Sequence, residues 1–232
     1  MQQRIAPMSQ AQALQAGSVL RWSVPCGLIG AALAVAGNLA HPTMPTEGAS
    51  ALTIVAGHAM WTWIHFIVIA AALLTLVGVQ GLVEFAGREA PARIGMMVGA
   101  VGAAVLIVAF GIDGFTTKAI SDAWAAASAA DKPTLLLIGH AVELVHTGLF
   151  YLWLPLFLGG PPLLIGLAFL SQGRRILGAW GVAAGLAAVA IGCWCFLSRQ
   201  FAVELPSLAS AFASVLWYGA ANLVAARRLW FQ

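Results

Sequence analysis

The sequence predicts an all-α integral membrane protein, a bundle of six transmembrane helices with both termini in the cytoplasm. Three observations carry that prediction. Of 232 residues, 61% are hydrophobic and only 8% charged, and the mean hydropathy is +0.92; soluble domains carry roughly a quarter of their residues as charges. The apolar residues gather into runs at about 22–40, 50–86, 94–112, 134–171, 176–198 and 207–226, each close to or beyond the roughly 20 residues that cross a hydrocarbon core. Finally, the cations segregate: Arg4, Arg21, Arg88, Arg93, Arg174, Arg175, Arg227 and Arg228 precede the first run or lie in alternate connections, against Lys118, Lys132 and Arg199 in the others. Such an excess marks the cytoplasmic face of a bacterial-type inner membrane. The net charge of +3 is therefore a topology signal and implies no nucleic-acid partner.

The elements follow in order. Residues 1–18 read as a polar cytoplasmic segment, and 19–232 as one transmembrane domain with outer loops at about 41–50, 113–133 and 199–206. Ala, Leu and Gly dominate the runs and period-2 alternation is missing, so the spans are helices and not barrel strands. HPTMPTEGAS, 41–50, has the Pro and Gly of a rigid loop and carries His41, Met44 and Glu47. The runs 50–86 and 134–171 are too long: about 37 residues make roughly 55 Å of helix against a core of about 30 Å. Their first turns must project beyond the outer boundary or tilt along it, unless Pro155 and Pro161–Pro162 break the second. KAISDAWAAASAA, 118–130, reads as an amphipathic surface helix with Trp124 among the headgroups. Asp131 and Pro133 then suit the cap and first turn of the next helix. Together 41–50 and 118–130 predict a lid. Cys26 and the closely spaced Cys193 and Cys195 read as packing residues, since one intervening residue strains a disulfide.

An offset of 82 residues superposes Gly57-His58-Ala59 on Gly139-His140-Ala141, Arg93-Ile94 on Arg175-Ile176, and Gly99 on Gly181. That offset predicts a parallel internal repeat of helix pairs, about 50–112 and 132–198. Glycines at 95, 99, 102, 178, 181 and 185 make close-packing helix faces, suited to contact with a membrane-protein partner or a second copy of the chain. The remaining surface meets the lipid bilayer.

The chemistry gathers on one side. His41, His58, His65, His140 and His146 all fall at the outer end, with Glu47, Asp113, Asp122, Asp131, Glu143 and Glu204. GHAMWTWIH (57–65) and GHAVELVH (139–146) open two of the long runs. On one helix His58 and His65 would share a face about 10 Å apart, which predicts two layers: His65 with His146, and His58 with His140. Glu143 and His146 form the i,i+3 pair of di-iron bundles, but the counterpart at 61–64 is Trp-Thr-Trp-Ile, which disfavours a symmetric di-iron site. Three chemistries fit. A haem b could take His65 and His146, or His58 and His140, as axial ligands. A mononuclear copper, zinc or iron ion could take ligands from His58, His65, His140, Glu143 and His146, with Met44 or Met60. A proton-coupled transporter or small-molecule binding protein could titrate the same groups. Electron transfer or redox chemistry through haem or metal is the expected use, with Glu143 fixing an imidazole tautomer. Interfacial histidines also serve headgroups and water without any ligand, and an accessory subunit of a larger complex would need none. No nucleotide loop, nucleophile elbow, HExxH or CxxC occurs.

Overall fold

The computed structural model describes residues 10–45, 47–198 and 204–230. Arg4, Arg199, the first nine residues of the polar segment and most of the connection at 199–206 lie outside the described residues. Among the described residues all regular structure is helical: α1 (Gln10–Ala40), α2 (Gly48–Gly57), α3 (Trp61–Phe85), α4 (Ala90–Gly111), α5 (Lys118–Ala126), α6 (Lys132–Trp153), α7 (Gly160–Ser171), α8 (Arg175–Ser198) and α9 (Glu204–Trp230). Six stretches are long and apolar enough to cross a bilayer: Ser18–Ala40, Trp61–Phe85, Ala90–Ala126, Lys132–Ser171, Arg175–Ser198 and Ala209–Arg227.

Two of these stretches owe their length to π-helical turns. Ile112–Thr117 joins α4 to α5, and Leu154–Gly159 joins α6 to α7. Pro155 explains the second turn, because it has no N–H to give and its ring crowds the carbonyl four residues back. The helix widens there and does not break. Close approach of the neighbours depends on glycine: a Cβ at Gly102 would lie 2.5 Å from the Phe157 backbone nitrogen, and one at Gly192 would lie 2.5 Å from Pro155 Cδ. Gly95, Gly99, Gly178, Gly181 and Gly185 are likewise buried against helices of the same chain. These stripes serve close packing between neighbouring helices of the bundle.

A break, by contrast, appears where the sequence predicts continuity. The run 50–86 splits at His58, which takes an extended conformation (φ −93°, ψ 96°) while its N–H caps the Val55 carbonyl. Helix α2 therefore turns away to pack on α5 and α6, and Lys118 Nζ caps it at the Ala56 carbonyl, 3.1 Å away. The shared helix face expected for His58 and His65 does not exist.

The far end of the bundle is tied by two turns of the same design. Gly87 and Arg88 (φ 65° and 58°) end α3, and Gly173 (φ 75°) ends α7. In each, the residue after the glycine bonds back to a carbonyl five positions earlier, Arg88 to Val83 and Arg174 to Phe169. The two turns also hold each other. Gln172 Nε2 donates to Ala86 O at 2.7 Å and to Glu89 Oε1 at 3.0 Å, and Ser171 Oγ donates to Glu89 Oε2 at 2.8 Å. Arg174 lies over the Phe85 ring, 3.7 Å from its centroid, and donates to the Phe85 carbonyl. Exposed Arg88 keeps its charge beside Glu84, whose hydrogen bond raises the guanidinium pKa further. We refer to this as the arginine end and to the opposite one as the histidine end.

Candidate metal centre

Four elements converge at the histidine end. His41 follows the last turn of α1, His65 sits in the second turn of α3, Asp113 rides on the π-turn after α4, and His146 projects from α6. One ring nitrogen each from His41 and His65 and a carboxylate oxygen of Asp113 lie within 4.8 Å of one another. His65 Nε2 is 2.9 Å from Asp113 Oδ2, and His146 Nε2 is 3.7 Å from the same oxygen. His65 and His146 are buried, 1% and 7% exposed.

Local structure aims each group. Widening a helix to π pitch loosens its carbonyls from their usual partners. Here the first turn of α3 takes them up: Trp61 Nε1 donates to Asp113 O and Thr62 Oγ1 to Gly114 O, both at 2.8 Å. Gly114 allows the turn to sit flat on α3, since a Cβ there would collide with the His65 Cβ. Trp61, fully buried, also fills the space beside the histidines, with ring centroids 4.9 Å from His41 and 4.7 Å from His65. Behind them Phe110, Phe150 and Trp153 form an aromatic wall.

The hydrogen bonds settle which nitrogens are available. His65 Nδ1 donates to the Trp61 carbonyl at 2.8 Å, and His41 Nδ1 to the Pro42 carbonyl at 2.8 Å, because a carbonyl can only accept. Each neutral ring therefore keeps its lone pair on Nε2, the arrangement that backbone carbonyls impose on metal-bound imidazoles. Burial lowers the His41 pKa, against the opposing Pro42 hydrogen bond, which favours the neutral, ligating form. For His65 the consequence is sharper. A lone pair on Nε2 facing a carboxylate oxygen at 2.9 Å is repulsive unless a cation, proton or metal, lies between them.

The sequence-predicted residues divide. His65 and His146 reach one carboxylate. His58 stands at the α2–α3 break, half-buried, with Nδ1 lacking a hydrogen-bond partner; its ring touches Trp61 and not the cluster. His140 and Glu143 are exposed on α6, and Glu143 Oε1 is 3.6 Å from His146 Nδ1. From sequence alone Asp113, the centre of the arrangement, falls in an outer loop, and His41 in the loop 41–50. The signal for Asp113 was its isolation: it is the lone charge between Arg93 and Lys118, and an ionisable residue within an apolar helix marks function by default. No family model, curated protein or solved structure matches the chain.

Proposed function

We propose that the chain is a multi-pass protein of a bacterial-type cytoplasmic membrane that holds one transition-metal ion at its extracytoplasmic end. His41, His65 and Asp113 are the ligands, and electron transfer or redox chemistry is the use. The arginine excess supports cytoplasmic termini and puts the histidine end outside. Two related helix pairs frame the site, a reading supported by the shared glycine cap of their inner turns. The observation that carries the proposal is the His65–Asp113 contact, where a ring fixed as the Nδ1–H tautomer points its other nitrogen at a buried carboxylate.

Two imidazoles and a carboxylate suit iron, zinc or copper, and the first and last of the three supply redox chemistry. The same geometry argues for a bare ion over haem b. A porphyrin would need a planar slot between two axial imidazoles, and the Asp113 carboxylate stands between those of His65 and His146.

Metal analysis and absorption spectra of the detergent-purified protein test this. Iron, copper or zinc near one ion per chain, without a Soret band, is the expected result. Asp113→Asn is the matching variant: its amide can donate to Nε2, so the fold is kept while the metal is lost. A Soret band would replace the ion by haem. Metal-free protein that takes up no added ion would leave an imidazolium–carboxylate pair and end the proposal.

A further inference from the structure

His146 is used by the buried centre on one side only. Its Nε2 faces Asp113, and its Nδ1 faces Glu143 Oε1 at 3.6 Å, one helical turn toward the start of α6. Both nitrogens are buried and neither has a hydrogen-bond partner within 3.5 Å, a position that a buried polar atom keeps only at a cost in stability. Two donors around one ion stand about 3.0–3.4 Å apart when each bond is about 2.0–2.1 Å. The spacings on either side of His146 are a few tenths of an ångström longer, within the reach of a small side-chain adjustment. Glu143 itself is half exposed, its side chain 47% accessible, and Thr147 Oγ1 donates to the same Oε1 at 3.4 Å. An imidazole thus bridges an exposed carboxylate and an enclosed one.

We infer that Glu143 and His146 form a second, transient metal position through which an ion passes between the outside and the buried centre. An incoming divalent ion exchanges two waters for Glu143 Oε1 and His146 Nδ1. It then transfers past the ring to Asp113, His65 and His41, and leaves by the reverse route. No bond other than coordination changes. The inference rests on the reading of His41, His65 and Asp113 as the resident site.

The test is stopped-flow loading of chelator-stripped, full-length protein with Co²⁺ alone, followed by its d–d absorption, and release into excess chelator. A transfer position lowers the barrier in both directions, so Glu143→Gln should slow loading and release alike, each by at least about tenfold. Final stoichiometry, affinity and spectrum should match wild type. Glu47→Gln removes a carboxylate from the same end outside the route and should leave both rates unchanged. Unaltered rates in Glu143→Gln overturn the inference while leaving the buried centre intact, as do equal slowing by Glu47→Gln or a changed cobalt spectrum. Wild-type protein that retains no cobalt removes both readings together.

Discussion

Asp113 accepts a load that few residues in an apolar helix carry. It is 9% exposed, faces two imidazoles, and is aimed by a tryptophan and a threonine that bind backbone carbonyls and leave its carboxylate alone. Gly114 is the position most sensitive to this arrangement. In Gly114→Ala the new methyl meets the buried His65 Cβ, and neither the π-turn nor α3 can recede without losing the Trp61 and Thr62 bonds. Overpacking of this kind costs about 1–3 kcal/mol, so the melting temperature should drop and cobalt affinity should fall with it. Asp113→Asn separates the two effects, keeping stability while abolishing metal. Chelator titration and thermal melts on the same samples would check both.

At the scale of elements, stability comes from how closely the helices approach, because lipid tails supply no hydrophobic force between them. Gly102 illustrates it: its partner is the backbone of the Leu154–Gly159 turn, which cannot move aside as a side chain would. Gly102→Ala should lower the melting temperature by an amount equivalent to about 1–3 kcal/mol without changing metal stoichiometry. The sequence showed these packing faces directly, as glycine at helical spacing. It also showed the amphipathic α5 and the Pro-bearing start of α6, because each is a local pattern. What it hid was geometric. A π-turn at 112–117 has no proline to announce it, so Asp113 looked like the first residue of a loop. The break at His58 has only Gly57, the last residue of α2, to mark it, and is set by the cap on Val55 together with the docking of α2 on α5.

For the whole molecule, the six long apolar stretches among the described residues, the histidine cluster and the opposite arginine turns make an asymmetric object with one chemical end. The number of spans was legible because hydropathy is summed over some twenty residues and tolerates local error. The membership of the site was legible only in part, since His41 and Asp113 reach it through tertiary packing across α1, α3 and α4. If both termini are cytoplasmic, as proposed, a fluorescent protein that folds only in the cytoplasm should glow when fused to the C-terminus. When fused after Asp122, with the rest of the chain removed, it should stay dark. The opposite pattern would put the histidine end, and the metal, inside the cell.

The turn at 112–117 also separates ancestry from chemistry. A π-turn is an α-helix with one extra residue wound in, so a parent helix lacking, for instance, Phe115 would run at ordinary pitch from α4 into α5. Its spans and its glycine contacts would be those seen now, but no carbonyls would be turned out for Trp61 and Thr62 to hold. Deleting one residue from the turn should therefore keep the bundle and cost the two bonds by which Trp61 and Thr62 hold the Asp113 segment against α3.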